Sequence, residues 1–339
     1  MKQALEIKNC PGTLADGYNT YSPTALRRMF DNRKVSHLLD FSNDDSHRDL
    51  IVENSGRISI SGVQEKLSAI VDKGKICLAP EGIQSRYIIK PAPDDKRLIH
   101  RNQLPANEHL TMQIARQVYG IATAENALIF FQNGEPAYIT RRFDIKEDGT
   151  KTIQEDFASL AQKTGETHGK HFKYTGNYVD MGVVFQKCVA AWKAEISKFF
   201  RLIVFNYLFS NGDAHLKNFS LQQSENGDYL LSPAYDLLNT SLHIQDEDFA
   251  LEGGLFRKEF HSETYRQKGH PCRDDFADFA KMIGVADIQI QKIMNVFLDT
   301  QPLVYDLTER SFLNEKLKRM YIRGYEERLI RLRRSSAGL

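Results

Sequence analysis

The sequence predicts an α+β protein of two lobes, in which a β-rich lobe precedes a mainly helical lobe. Short alternating apolar segments separated by turn residues run from residue 56 to about 140, a pattern typical of strands. From about residue 155 the apolar residues recur at helical spacing, and a charged turn at Lys146–Gly149 separates the two patterns. We therefore expect an extension over residues 1–55 that packs on the first lobe, a β-rich lobe over 56–148 and a helical lobe over 149–339.

The composition excludes several classes of protein. The 339 residues include 45 Lys and Arg against 44 Asp and Glu, and 41% are hydrophobic, as in globular rather than disordered or collagen-like chains. This near-zero net charge argues against a protein whose main role is to coat nucleic acid. The 4 cysteines form no CxxC pair, which argues against a zinc ribbon or a redox motif. With no signal peptide and no span of membrane length, the sequence predicts a cytoplasmic protein without membrane contact.

Turn signals and alternation place the elements of the first half. A helix is expected over Pro105–Tyr119, because apolar residues share one face and Gly120 follows as a stop. The turn Asn133-Gly134 predicts a tight hairpin between the last two strands. The extension is expected to contain two short helices, Pro23–Phe30 and Lys34–Leu39. The predicted strands are Arg57–Ser61, Leu67–Val71, Ile76–Ala79, Tyr87–Lys90, Ala127–Phe131 and Ala137–Thr140.

The second half has one outstanding helical stripe, whose apolar spacing is that of a buried core helix. Its members are Ile196, Phe199, Phe200, Ile203, Val204, Tyr207 and Leu208. Further helices are expected at Asp274–Ile283, Ala286–Leu298 and Glu309–Leu332.

A polar turn follows this stripe and contains Asp213 and Asn218, five residues apart. The protein-kinase catalytic loop spaces its base Asp and its metal-binding Asn in the same way. In that chemistry a carboxylate faces the attacking hydroxyl while a carboxamide oxygen holds Mg²⁺. The alternative is that both residues only form Asx turns.

A second carboxylate, Asp236, comes 18 residues after Asn218. The intervening segments Phe219–Leu221 and Tyr229–Leu231 predict a hairpin closed by Asn226-Gly227. A kinase brings its second magnesium carboxylate beside the catalytic loop in this order, which favours the catalytic interpretation.

A nucleotide clamp is expected upstream of this loop. Lys90 ends a predicted strand and Glu108 starts the following helix, so an ion pair between them would aim the ammonium into a cleft. Taken singly, Lys90 could be an exposed strand-end lysine and Glu108 a first-turn glutamate favoured by the helix dipole. Backbone N–H groups of Ser61, Gly62 and Val63, between two predicted strands, could cradle a phosphate, although this segment also fits an ordinary turn.

Taken together, these motifs resemble the HipA family of bacterial toxin kinases. They occur in family order over about residues 56 to 330. The matching segments are Ser59–Lys66 (S-x-S-G-x-Q-E-K), Tyr87–Pro91, Asn107-Glu108, Arg142-Phe143-Asp144, Gln154–Phe157, Lys173-Tyr174, Gly212–Phe219 (G-D-x-H-x-K-N-F) and Tyr235-Asp236.

The resemblance implies a protein-kinase-like fold and a serine/threonine protein kinase that uses ATP and Mg²⁺. It assigns Asp213 as the catalytic base, with Asn218 and Asp236 on the metal and Lys90 on the phosphates. The remaining implied site residues are His215 and Lys217 in the catalytic loop, and Arg141, Arg142 and Phe143 against adenine.

The resemblance also implies a toxin–antitoxin system. Autophosphorylation is expected on Ser59 or Ser61, where the added charge would repel the ATP phosphates. Because only 58 residues precede Ser59, the chain looks like the short HipT type, whose missing subdomain is a separate HipS protein. The other implied partners are a HipB-like antitoxin, DNA reached only through it, and an aminoacyl-tRNA synthetase as substrate, tryptophanyl before glutamyl.

Two other functions stay open at this stage. Residues 309–334 carry nine Lys or Arg against four Asp or Glu, which fits either a nucleic-acid face or a solvated terminal helix. The first would suit a degenerate kinase fold that mainly completes a repressor with its antitoxin on DNA. A kinase for a small molecule is the other alternative.

Overall fold

The computed structural model describes residues 6–41 and 65–335. Five strands of the first half form an antiparallel sheet: β1 (Leu67–Asp72), β2 (Lys75–Leu78), β3 (Tyr87–Lys90), β4 (Asn126–Phe130) and β5 (Pro136–Arg141). Their order across the sheet is β2-β1-β3-β5-β4. These strands and the hairpin between β4 and β5 are at the predicted places, whereas the predicted strand Arg57–Ser61 lies outside the described residues.

Two helices cover the two faces of this sheet. Helix α1 (Pro23–Phe30) begins after Ser22, whose side chain caps it, and its buried residues belong to the same apolar cluster as Ile89 and Ile139 of the sheet. Helix α2 (Leu104–Gln117) lies on the other face, in the core that the sheet shares with the helical half. Because α2 is enclosed on all sides, every residue from 104 to 115 is buried, including the polar ones.

The predicted helix Lys34–Leu39 is wrong. The backbone there is extended along the edge of β4, where Leu38 forms a parallel bridge with Phe130. The amide of Leu39 donates to the Phe130 carbonyl at 2.8 Å, and the Phe130 amide donates to the His37 carbonyl at 2.9 Å. The open hydrogen-bonding edge of a strand outweighs the local helical preference of so short a segment.

The second half is mainly helical, with a small sheet at its junction with the first. The sheet has the order β6 (Gln154–Asp156), β7 (Ser220–Gln223) and β8 (Tyr229–Leu231). The helices are α3 (Phe157–Leu160), α4 (Gly165–His168), α5 (Tyr178–Cys188), α6 (Trp192–Leu208), α7 (Glu263–Lys268), α8 (Arg273–Met282), α9 (Asp287–Leu298), α10 (Pro302–Arg310) and α11 (Glu315–Leu332). Short 3₁₀ turns occupy Arg101–Gln103, Phe172–Tyr174, Leu216–Asn218, Thr240–Leu242 and Lys258–Phe260.

Helix α6 forms the centre of the second half. All seven residues of the predicted stripe are at most 1% exposed, so the apolar face of this helix lies in the core as predicted. The loop that carries Asp213 starts at its C-terminal end and leads into β7. A deeply buried helix therefore anchors the loop, which gives that loop a fixed origin.

The single helix predicted over Glu309–Leu332 is also wrong, because the structure has two helices separated at residues 311–314. The Ser311 hydroxyl donates to the Thr308 carbonyl at 2.7 Å and helps to end α10. Asn314 then caps α11 by accepting from the Leu317 amide at 3.0 Å. Within residues 6–41 and 65–335, no helix combines the length and the apolar character that a membrane crossing requires.

Candidate active site

The loop after α6 is held in place by backbone contacts. Ser210 has a left-handed φ of 52°, which turns the chain away from the helix axis. The Thr240 hydroxyl donates to the Ser210 carbonyl and accepts from the Gly212 amide, both at 2.9 Å. A Cβ atom on Gly212 would lie 2.3 Å from the carboxylate of Asp246, so a larger residue there would force that side chain to move. The residue before Asp213 is thus fixed on both sides.

The four residues on which the catalytic interpretation depends meet in one cavity of about 280 Å³ between the two halves. Asp213 and Asn218 line it from the loop, Asp236 from the segment after β8, and Lys90 from the end of β3. The other implied site residues that line it are Arg141, Arg142, Phe143, His215 and Lys217. Glu108 lies behind Lys90, and Ser59, Ser61, Gly62 and Val63 lie outside the described residues.

Lys90 is the centre of a buried ion triplet. Its Nζ lies 2.6 Å from Oε1 of Glu108 and also contacts Oδ1 of Asp236. Lys90 is only 3% exposed and Glu108 is fully buried, so these contacts are shielded from solvent. Burial lowers the pKa of Lys90, but the carboxylates of Asp236 and Glu108 outweigh it and raise that pKa. Burial alone would raise the pKa of Asp236, but the positive charge of Lys90 outweighs burial, so the pKa of Asp236 is lowered. The ammonium and the Asp236 carboxylate are therefore both charged.

Asp213 is poised to take a proton near neutral pH. The Tyr174 hydroxyl donates to its Oδ1 at 2.8 Å, which fixes one carboxylate oxygen. Burial raises the pKa of Asp213 to about 6, against the smaller lowering effects of Tyr174 and of the Lys173 charge. His215 Nε2 lies 4.0 Å from Oδ1 of Asp213, and burial lowers the pKa of His215 to about 3. A neutral His215 supports the loop without competing for the proton.

Under the catalytic interpretation, in which Asp213 is the base, the rate of the reaction is expected to rise with pH through about 6 and to level off by about pH 8, because a carboxylate accepts a proton only when ionised. The measurement is the initial rate at saturating ATP between pH 5 and 8. In Tyr174→Phe the midpoint should move upward, because the hydrogen bond that is removed lowers the pKa of Asp213 in the wild type. A flat profile, or a downward shift in that variant, would contradict the assignment.

Asp236 has a left-handed backbone with a φ of 55°, a costly conformation for a residue with a side chain. The segment before it is tied to both halves. The Ala234 amide donates to the Ala122 carbonyl at 2.8 Å, and the Tyr235 hydroxyl donates to the Lys217 carbonyl at 3.0 Å. Tyr235 thereby links the segment after β8 to the loop that carries Asn218, and both Asn218 and Asp236 line the same cavity.

The segment expected against adenine is partly engaged in contacts within the protein. The Arg142 amide donates to the Arg86 carbonyl at 2.9 Å, and Gln222 donates to the Phe143 carbonyl at 3.0 Å. The side chain of Arg142 pairs with Asp144 at 2.5 Å. The backbone groups named here and the side chain of Arg142 are therefore already paired within the protein.

The sequence reasoning gave no role to some residues of the site. Lys66 lines the cavity, and its charge helps to lower the pKa of Asp236. Tyr174 reaches Asp213 from a 3₁₀ turn 39 residues earlier in the chain. Both residues belong to segments that carried the family resemblance, and that resemblance was the only signal that could have indicated them.

A larger cavity of about 930 Å³ lies elsewhere, beside α11. Arg328 contacts Asp248 there, and Nε of Arg328 donates to the Ser210 hydroxyl at 3.2 Å. None of the four residues on which the catalytic interpretation depends lines this larger cavity. The smaller cavity is therefore the candidate active site.

Known relatives share much of this chain. A candidate kinase from Haemophilus influenzae is 27% identical over 323 residues, which cover 91% of each chain. The candidate kinase Y4dM from Sinorhizobium fredii is 35% identical over 58% of this chain and 48% of its own. The serine/threonine-protein kinase toxin HipA of Shewanella oneidensis is 26% identical over 59% of this chain and 46% of its own. This chain thus spans about half the length of the latter two relatives.

Two solved structures share the fold. Shewanella oneidensis HipA, solved with HipB and its operator DNA, matches with a TM-score of 0.56 at 18% identity, over 81% of this chain and 64% of that one. The Helicobacter pylori proinflammatory kinase CtkA matches with a TM-score of 0.50 at 16% identity, over 78% of this chain and 93% of that one. These matches confirm the predicted α+β fold with a helical second half.

The decisive comparison is with a family model described as the HipA-like C-terminal domain, which matches residues 58–302. That range contains Lys90, Glu108, Asp213, Asn218 and Asp236, the residues that meet in and behind the cavity. The chain belongs to this family, the proteins with a HipA-like C-terminal domain.

Proposed function

We propose that this protein is a kinase that transfers the γ-phosphoryl group of ATP to a serine or threonine hydroxyl of another protein. The observation that carries the proposal is the convergence of Lys90, Asp213, Asn218 and Asp236 on one cavity between two lobes. Kinase names among the relatives support the same activity.

The residues present suit Mg²⁺. The carboxylate of Asp236 and the carboxamide oxygen of Asn218 are hard oxygen donors, which Mg²⁺ prefers. The described residues hold no cluster of three or more His, Cys, Asp or Glu that could bind a metal alone. This fits Mg²⁺, which is usually held by one or two protein ligands together with substrate phosphates. When bound by Asn218 and Asp236, it would neutralise charge on the phosphates.

The chain's own residues account for the proton and the charge. Asp213 accepts the proton of the acceptor hydroxyl, whose oxygen bonds to the γ-phosphorus while the bond to the bridging oxygen breaks and ADP leaves. Lys90 supplies a buried positive charge at the phosphate end, and Glu108 orients it. Tyr174 holds one oxygen of Asp213, so that the carboxylate keeps one orientation.

Removal of the metal is expected to abolish the activity, because the ATP phosphates without Mg²⁺ are repelled by the carboxylates of Asp213 and Asp236. The test incubates the purified protein with radiolabelled ATP and bacterial lysate proteins, with Mg²⁺ or with EDTA. We expect phosphoserine or phosphothreonine on protein with Mg²⁺, a loss of more than about 100-fold with EDTA, and recovery on adding Mg²⁺ back. Equal labelling in both conditions would contradict the proposal, as would labelled inorganic phosphate alone.

The finer assignment is to a toxin–antitoxin system, with a HipB-like antitoxin and an aminoacyl-tRNA synthetase as substrate. The relative named as a toxin and the solved complex with HipB and DNA support this partner type. The HipT type, a HipS-like partner, autophosphorylation of Ser59 or Ser61 and a tryptophanyl- or glutamyl-tRNA synthetase target are proposed on the sequence resemblance alone.

The contacts of α11 favour an ordinary terminal helix over a nucleic-acid-binding face. Arg328 and Arg331 turn inward to Asp248, while Lys318 pairs with Glu315 at 2.9 Å. Side chains that are committed to acidic partners within the protein offer less charge to a phosphate backbone. We therefore do not propose direct DNA binding by this helix.

A further inference from the structure

Asp213 also borders a second cavity, which Lys90 does not line. This cavity, here called the acceptor pocket, has a volume of about 290 Å³. Among the described residues, Asp213 is the one that lines both this pocket and the candidate active site, the cavity of about 280 Å³ here called the nucleotide cavity. A catalytic base must contact the acceptor hydroxyl while that hydroxyl faces the γ-phosphate. The acceptor can therefore reach Asp213 from this pocket without crossing the nucleotide cavity.

The walls of the pocket are fixed by buried polar contacts. Asn107 Nδ2 lies 2.9 Å from Nε2 of His243, and Nδ1 of that ring lies 3.0 Å from the Ile99 carbonyl oxygen. Because a carbonyl only accepts, Nδ1 carries the proton and Nε2 accepts from Asn107. The Ile99 amide also donates to the His243 carbonyl at 3.0 Å. The two segments that form the rim are thus joined, and the pocket is preformed.

The lining of the pocket is apolar with an acidic rim. Its charged members are Asp213, Asp246 and Glu247, and among the described lining residues there is no Lys or Arg. Oδ2 of Asp246 is buried and has no hydrogen-bond partner in the described part of the chain. The apolar members are Leu98, Leu104, Leu238, Ile244, Phe249 and Ala250.

We propose that the acceptor pocket selects a protein segment whose phosphorylated serine or threonine is flanked by a large apolar side chain and not by an acidic one. This inference rests on the proposed kinase function and names the substrate class of the same site. An apolar neighbour would bury its surface against the leucines and Ile244. An Asp or Glu neighbour would meet three carboxylates without a basic partner among the described lining residues.

Ile244 provides the test, because it lies at the mouth of the pocket, is 38% exposed and does not line the nucleotide cavity. The probes are glycine- and alanine-based peptides with one central serine and a Leu or an Asp directly before or after it. We expect kcat/KM for the better Leu peptide to exceed that for its Asp counterpart by about 10-fold or more. Ile244→Ser should reduce this ratio about threefold and leave the KM for ATP unchanged.

The matched control is Ile288→Ser, the same substitution at a residue that is 75% exposed and lies on α9. Equal rates for Leu and Asp peptides would overturn the inference, as would equal effects of Ile244→Ser and Ile288→Ser. If no peptide is phosphorylated, the labelling of lysate proteins described above decides about the kinase function, and binding of fluorescent peptides decides about the pocket. Tighter binding of the Leu peptide that Ile244→Ser weakens would support the pocket, and equal binding would overturn it.

Discussion

Asp213→Asn is expected to lower the rate of phosphoryl transfer by about 10²- to 10⁴-fold, because an amide cannot accept the proton of the acceptor hydroxyl. The substitution keeps the size of the side chain and its hydrogen bond from Tyr174. The measurement is the initial rate of protein labelling at saturating ATP, with ATP affinity determined separately. Equal labelling by wild type and variant would show that Asp213 is not the base.

The same variant should fold at least as stably as the wild type. The pKa of Asp213 is raised by burial to about 6, so its contribution to stability is fully present below about pH 4 and is lost as the pH rises through about 6. Above that pH the folded protein carries a buried carboxylate, which asparagine removes. A melting temperature at pH 8 that is equal or higher, together with lost activity, separates a catalytic role from a structural one.

Lys90→Met is expected to reduce both activity and stability. Removal of the ammonium leaves Glu108 fully buried without its partner and takes the positive charge from Asp236. Breaking a buried pair in this way costs about 3 kcal/mol of unfolding free energy. Loss of a charge that stabilises the phosphates should lower kcat/KM for ATP by about 100-fold. Urea denaturation and steady-state kinetics measure the two effects.

The matched control for Lys90→Met is the double variant that also carries Glu108→Gln. A neutral amide in place of the Glu108 carboxylate removes the buried unpaired charge, so the double variant should regain part of the unfolding free energy but none of the activity. Recovery of stability without activity would show that Lys90 acts on the nucleotide and not only on Glu108. An unchanged unfolding free energy in Lys90→Met would contradict the buried ion triplet.

Local signals were sufficient where contacts are close in sequence. The spacing of Asp213 and Asn218 depends on one loop, and the hairpin before Asp236 depends on Asn226-Gly227, whose glycine has a positive φ of 87°. The strand Tyr87–Lys90 and the helix Pro23–Phe30 have the predicted bounds for the same reason. Short-range patterns express backbone preferences, which the chain carries wherever it packs.

Two helix predictions failed, one because a distant strand edge competes with the local preference and one because capping side chains interrupt the apolar spacing. Residues 34–39 are extended because the edge of β4 offers them hydrogen bonds. Ser311 and Asn314 end one helix and start another in a segment whose apolar spacing predicted continuity. In both places the structure is decided by a hydrogen bond to a backbone group, which the spacing of apolar residues does not indicate.

The sequence by itself determined which chemical groups this protein has, in which order, and the turns that present Asp213, Asn218 and Asp236. The tertiary structure alone decided that Lys90 and Asp236, 146 residues apart, share one ion pair. It also decided the raised pKa of Asp213 and the existence of an acceptor pocket behind it. The physical reason is that burial and desolvation depend on what packs around a group, which is settled by elements far away in the chain.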